Sequence, residues 1–193
     1  MRFMHPNARL ENQKQLHPVL DIGAGKFNTV NHEIIDIENP DPDTINIHDI
    51  AHGLSNICRF GGHTTRFYSV AQHSCLVSYL APKQLRLEAL LHDAAEAYLG
   101  DVIKPLKVLI ERSSGYKRYE DNFQRLIATK FHIDPAAFGL VKPFDLRALE
   151  IEHGYFFLNE EKHFSKLFNS EEPCWTPTIA KEVFLSTFNE LAR

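Results

Sequence analysis

The sequence predicts a mainly α fold, a helical bundle with a small β-hairpin near its N-terminus. Three observations carry this. Apolar residues recur at three- and four-residue spacing through most of the chain beyond residue 50. Serine, threonine, glycine and proline stand at the ends of those runs, where helices start and stop. Before residue 50 the chain is instead polar and turn-rich, with two short β-branched runs. At 193 residues the chain suffices for one domain and is too short for two ordinary ones. Residues 1–193 are therefore read as a single domain, with residues 1–46 as an N-terminal extension holding the short strands. Hydrophobic residues make up 44% and charged residues 24%, the ordinary globular mix, so wholesale disorder and fibrous classes drop out.

Taking the elements in order, Glu33–Ile37 and Thr44–Ile47 read as strands joined by the turn chemistry of Asn39-Pro40-Asp41-Pro42-Asp43. Ile47, Ile50, Ala51, Leu54 and Ile57 form one apolar stripe of a first helix that runs out before Gly61-Gly62. A second helix covers about Ser69 to Leu80 and is ended by Pro82. A third, from about Gln84 to Leu99, is apolar almost all round, the pattern of a buried central helix, with Gly100 as its C-terminal cap. Tyr116, Tyr119, Phe123, Leu126 and Ile127 mark a fourth, which stops at Asp134-Pro135 and whose aromatic stripe is core or an oligomer seam. Asp145, Leu149, Glu152 and Phe156 share one face of a fifth, and Thr176-Pro177 starts a sixth that carries Phe184, Thr187, Phe188 and Leu191.

A net charge of -4 argues against a general nucleic-acid or anionic-membrane binder, which needs a basic surface. Cys58, Cys75 and Cys174 are odd in number, far apart and form no CxxC pair, so they read as reduced, buried thiols. No leader-like segment and no long apolar run occurs, and the expectation is a soluble cytoplasmic protein.

Histidine is the unusual entry, eleven in the chain, and it is the side chain suited to metal ligation and to proton transfer near neutral pH. The segment Leu90-Leu91-His92-Asp93-Ala94-Ala95-Glu96-Ala97-Tyr98-Leu99-Gly100-Asp101 sets an imidazole and carboxylates on an otherwise greasy helix, where ionisable groups need partners. On an ideal helix His92 and Glu96 share a face, and Asp93 is i,i+3 with Glu96. A divalent metal taking His92 and Asp93, with Glu96 left to handle a proton, fits this pattern. So does a structural histidine bonded to a carboxylate. A catalytic divalent site needs three or four N/O donors from different elements. His73, inside the second helix, and Asp145, on the inward stripe of the fifth, are available donors, and each also reads by itself as a satisfied core histidine or a helix cap. Glu152 either pairs with Arg147 or Lys142 or lines the site. Lys104 reads as part of a solvated basic turn. His5, His17, His32, His48, His52, His132, His153 and His163 have no ligand-like context.

The order His, then His-Asp, then Asp resembles that of the HD-domain phosphohydrolases. Arg59-Phe60-Gly61-Gly62-His63, Tyr68-Ser69-Val70-Ala71-Gln72-His73-Ser74, His92-Asp93-Ala94-Ala95-Glu96-Ala97-Tyr98, Gly100-Asp101 through Pro105-Leu106-Lys107, and Asp145 with Glu152 are similar to blocks of the small bacterial 5′-deoxynucleotidases and their prophage-borne YfdR-type relatives. The match runs from about Asp43 to Phe156. This resemblance implies an HD-type helical bundle and one divalent metal ion, cobalt, manganese, zinc, nickel or iron, on His73, His92, Asp93 and Asp145. It implies Glu96 as the residue that positions or deprotonates the attacking water, assisted by Asp101. Arg59 and Lys107 match phosphate-binding positions. Phe60 stands where the deoxynucleotidases have a tryptophan that can pack on the sugar, which leaves sugar discrimination open. His63 either contacts phosphate or caps its loop. The implied reaction is hydrolysis of a deoxynucleoside 5′-monophosphate to deoxynucleoside and phosphate, by a homo-oligomer. A triphosphohydrolase of deoxynucleoside triphosphates, drawing on Lys104, His63 and Arg66, and a non-catalytic nucleotide-binding protein are the alternatives.

Overall fold

The computed structural model describes residues 23, 25–158, 160–168 and 172–193. The mainly α class and the small N-terminal sheet are both present. Strands β1 (Lys26–Asn28) and β2 (Ile34–Asp36) pair antiparallel, with Phe27 opposite Ile35. The chain reverses between them through Thr29–Glu33, where Thr29 N donates to Glu33 O at 2.9 Å and His32 takes a positive φ of 66°. The partner of β2 therefore lies upstream of it. Thr44–Ile47 is no strand, because two Asx side chains bend this segment instead. Asp41 Oδ1 accepts from Asp43 N at 2.9 Å and starts a 3-10 turn at Pro42–Thr44; Asn46 Oδ1 accepts from Asp49 N at 2.9 Å and caps the first helix. Ile45, caught between the two caps, is driven into the core.

That helix, α1 (Ile47–Asn56), buries Ile50, Ala51 and Leu54 as its stripe requires. A 3-10 turn at Arg59–Gly62 follows, with both Phe60 and Gly61 at positive φ. The chain then returns to α1's end: Arg59 N donates to Tyr68 O at 2.9 Å and Val70 N to Ile57 O at 3.1 Å. Ser69 caps α2 (Val70–Leu80) by accepting from Gln72 N. Every residue from Val70 to Ser78 is buried, and α2 packs as the central helix against α1 and against the helices Arg86–Leu91, Ala137–Phe157 and Pro177–Leu191.

The expected third helix is broken into α3 (Arg86–Leu91) and α4 (Glu96–Leu99). Two side chains interrupt the regular ladder. The His92 ring bonds Ala89 O at 2.8 Å, and Gln124 reaches across to bond Leu91 O at 3.0 Å. Between the two helices the backbone bonds tighten to i→i−3, from Ala94 N to Leu91 O and from Glu96 N to Asp93 O. Gly100 ends α4 at φ 80°, its N–H on Glu96 O at 2.8 Å. Gly53 of α1 lets α4 come close, since a Cβ there would stand 2.9 Å from Ala97 O.

The Lys104 region is no turn. Pro105 sits in the first turn of α5 (Lys104–Ser114), a helix with no buried residue. In α6 (Lys117–Lys130), Phe123 and Ile127 are core, and Phe123 stacks on Tyr98 of α4 at 5.2 Å. Asp145 does not lie near a helix start: α7 (Ala137–Phe157) runs through Pro143, placing Asp145 and Glu152 two turns apart within one helix. Short α8 (Glu161–Leu167) and α9 (Pro177–Leu191), capped by Thr176, complete the described bundle. Gln72 on α2 ties the approach to α9, donating to Pro173 O at 2.5 Å and accepting from Trp175 N at 2.8 Å. Apolar residues cluster on both faces of α2, Ile50, Leu54, Leu90 and Phe184 on one and Tyr68, Leu76, Phe156 and Phe164 on the other. Of the cysteines only Cys75 is buried, and all of them are free. Among the described residues no helix is long and apolar enough to cross a membrane. His5 and His17 lie outside the described residues, as do most of residues 1–46 ahead of β1.

Candidate metal centre

Three core elements bring His73, His92, Asp93 and Asp145 together. His73 projects from the fully buried middle of α2. The winding change after Leu91 presents His92 and Asp93, and α7 supplies Asp145. Asp93 Oδ2 lies 3.1 Å from His92 Nε2 and 3.5 Å from His73 Nε2. Asp145 Oδ1 lies 3.3 Å from His73 Nε2 and 3.9 Å from His92 Nε2. The other face of three of the four is occupied: His92 Nδ1 by Ala89 O, His73 Nδ1 by Glu152 Oε1 at 2.5 Å, and Asp145 Oδ2 by Lys142 Nζ at 2.6 Å.

Both Nε2 atoms are buried and make no hydrogen bond, although two carboxylates stand within 4 Å of them. Orphaned buried nitrogens are costly, and mixed imidazole and carboxylate donors suit a divalent transition ion. One ligand atom each from His73, His92 and Asp93 falls within 4.8 Å of the others, close enough to hold one ion, and Asp145 adjoins them. The residues present therefore fit a metal.

Charge is arranged around this group in a definite order. Burial works against protonation of His73 and Arg59 adds to it, but Glu152 and Asp145 outweigh both and push the ring up to about 9. Burial likewise opposes ionisation of Asp93, yet the His92 and His73 rings and Arg59 hold its carboxyl well below the usual range. Glu96 goes the other way: burial first, then Asp93 and Asp101, drive its carboxyl well above the usual range against the pull of Lys107. Its Oε2 is buried without a partner. In the tightened turn Asp93 and Glu96 stand i,i+3 and eclipse, which explains why Asp93 is the charge that acts most strongly on Glu96. Asp101 is also raised, by burial.

Above the group opens a cleft of about 500 Å³. Arg59, Phe60, Asp93, Glu96, Asp101, Lys107 and Asp145 all line it, so most of the expected site residues share one space. Lys107 bonds Glu120 at 2.7 Å and stands 3.7 Å from Glu96. The Arg59 fork reaches Glu152 at 3.1 Å and Asp93 at 3.9 Å. Phe60, at φ 55°, carries a ring that packs on Phe157 at 5.4 Å and lies 5.3 Å from the Arg59 guanidinium. Such a left-handed conformation in a bulky residue is strained and is the kind of outlier that clusters at working sites. His63 is exposed, caps the 3-10 turn and is absent from the cleft wall.

Glu152 pairs with neither Arg147, which bonds Glu150, nor Lys142, which bonds Asp145. It is fully buried behind His73, where it also accepts from Tyr68 OH at 2.8 Å. Its seven-residue distance from Asp145 signals a shared stripe. Tyr68 and Glu120 carried no comparable signal, because their partners lie 84 residues and a helix away in sequence.

No protein-family model matches the chain. It is 40% identical over 158 residues to the uncharacterized protein YfdR of Escherichia coli (strain K12), covering 78% of this chain and 86% of that protein. It is 42% identical over 106 residues to an uncharacterized protein of Rhodobacter capsulatus, covering 50% of this chain and 53% of that one.

Proposed function

The chain belongs to the family of the Escherichia coli protein YfdR, and on that premise we propose that it is a metal-dependent phosphohydrolase of the HD type acting on nucleotides. The observation that carries this reading is the pair of buried, unpartnered Nε2 atoms of His73 and His92, facing two carboxylates under a cleft that Arg59 and Lys107 also line. His73, His92, Asp93 and Asp145 would hold one divalent ion, whether cobalt, manganese, zinc, nickel or iron. Such an ion supplies Lewis acidity at a phosphoryl oxygen and lowers the pKa of a bound water.

The chain's own groups do the rest. Glu96, its carboxyl made more basic by burial and by Asp93, accepts the proton of the attacking water at its free Oε2. Asp101, which lines the same cleft, assists. Arg59 offers a planar fork to the phosphoryl oxygens and Lys107 a point charge, so the two stabilise the charge that in-line attack develops. A volume of about 500 Å³ suits one nucleotide, and the substrate class we favour is the deoxynucleoside 5′-monophosphate, cleaved to deoxynucleoside and phosphate. Phe60 is the apolar wall available to the sugar or base. One observation favours a second reading: Lys104 and Lys142 line the same cleft and extend its cationic reach, as a deoxynucleoside triphosphate would need.

Protein stripped of metal and reloaded with each ion in turn, then assayed against deoxynucleoside mono- and triphosphates, tests this. Chromatography of the products separates phosphate from triphosphate release. Glu96→Ala should abolish turnover with metal still bound, and Asp93→Ala serves as the blank. Full activity of Glu96→Ala would remove Glu96 from the reaction. Tight nucleotide binding without turnover under any metal would make the protein a non-catalytic nucleotide binder. Ile103 and the α5 residues Leu106, Val108 and Leu109 are exposed, which supports a homo-oligomer, to be read by light scattering. Free cysteines and a nucleotide substrate suit the cytoplasm.

A further inference from the structure

We propose that Glu152 is a positioning residue that serves both halves of the site with one carboxylate, Oε1 fixing the tautomer of His73 and Oε2 fixing the fork of Arg59. This rests on the metal and phosphate reading of the cleft. Glu152 is fully buried on α7, and a carboxylate is kept there only if it is fully bonded. Its donors come from three places along the chain. Oε1 receives His73 Nδ1 at 2.5 Å and Tyr68 OH at 2.8 Å; Oε2 receives Arg59 Nη2 at 3.1 Å.

The donors are unequal in kind. Tyr68 is an anchor, buried against Phe156 and Phe164 at ring distances of 5.1 and 5.7 Å, and it holds the carboxylate in place. His73 and Arg59 each turn their other end toward residues that line the cleft: His73 Nε2 toward Asp93 and Asp145, and Arg59 Nη1 toward Asp93. A carboxylate only accepts, so the Nδ1 of His73 must carry a proton, and the lone pair of the neutral ring is left on Nε2. The same carboxylate pins the guanidinium in the plane that presents its remaining N–H groups to the cleft. Metal ligand and phosphate ligand are thus set by a single side chain.

Glu152→Gln separates the two duties. The amide retains one acceptor oxygen, which the two donors His73 and Tyr68 claim together, and it turns an NH₂ toward Arg59, donor against donor. Binding of zinc should change by less than about threefold, whereas inorganic phosphate should bind the zinc-loaded variant at least about tenfold more weakly, the usual scale for loss of a supporting partner. Nitrogen-15 NMR of the zinc-loaded natural protein should show His73 protonated at Nδ1 and metal-bound at Nε2. Metal on Nδ1, no metal binding at all, or Glu152→Gln leaving phosphate affinity unchanged would overturn the proposal. Should Glu152→Gln not fold, the Arg59 half is read in the natural protein: slow rotation about Cζ–Nε, seen as resolved Nη signals, is expected, and free rotation would overturn it. None of these readouts needs turnover, so absence of hydrolysis would sink the proposed reaction and leave this assignment standing.

Discussion

Replacing Gly53 by alanine should destabilise the protein although it improves a helix. A Cβ built at this position of α1 stands 2.9 Å from Ala97 O, 3.0 Å from Ala97 Cβ and 3.1 Å from Ala97 Cα. Relaxed contacts lie near 3.5–4.0 Å, so the added methyl overlaps by roughly 0.5–1 Å. Two of the three atoms are backbone of α4, which has no rotamer to change. The helices must part instead, at about 1–3 kcal/mol, against about 1 kcal/mol gained in helix propensity. The net loss is about 1 kcal/mol, or a fall in Tm of roughly 2–4 °C for a chain of this size. Gly139→Ala is the matched control, because a Cβ there meets nothing within 4 Å and only the propensity gain remains. Thermal unfolding followed by circular dichroism measures both. The reasoning is refuted if the two variants rise in Tm together. Ala97 follows Glu96 directly, so parting α1 from α4 also moves the proposed proton acceptor, and Gly53→Ala should lose turnover out of proportion to its stability.

Other consequences are equally open to measurement. His92→Ala removes one of the converging Nε2 atoms and should reduce bound zinc to well under one equivalent by elemental analysis, with the helical circular dichroism retained; full occupancy would exclude His92 as a ligand. Lys107 lowers the pKa of Glu96, so Lys107→Met should raise it further. The group is then deprotonated only at higher pH, and the rising limb of the rate–pH profile should move up in pH while KM for substrate increases; a shift to lower pH would contradict the pairing. Burial pushes the Cys75 thiol up to about 12. At pH 8 the folded protein should expose at most two thiols to an aromatic disulfide reagent and the unfolded chain all of them, and rapid reaction of Cys75 in the native state would argue that its burial is transient.

Much of the site could be read from the sequence because its residues sit on regular stripes. His73 lies in an unbroken apolar run capped by Ser69, and Asp145 and Glu152 are seven apart on one helix. The features that escaped are those made by side chains acting at a distance. Gln124, on α6, and the His92 ring break the helix that periodicity draws straight through residues 84–99, since four residues wound at three per turn look the same in sequence as four wound at 3.6. Asp41 and Asn46 convert an apparent strand into two caps, because a short polar side chain competes for the same backbone N–H groups that a ladder would use. The α5 helix was hidden behind Pro105, which reads as punctuation yet is well suited to a first helical turn. Glu152 could be placed on the right face but not given its partners, which are 79 to 93 residues away.

The absence of buried residues in α5 has a bearing on how this protein can change. The proposed metal ligands are mounted on helices whose packing also holds the chain folded, so a substitution near them is judged twice, once by stability and once by chemistry. Lys107 and Lys104 are mounted on a helix that contributes little to the core. In the proposed reaction the two lysines serve substrate binding, so changes around them would cost the fold of a single chain little and would tell on the substrate first.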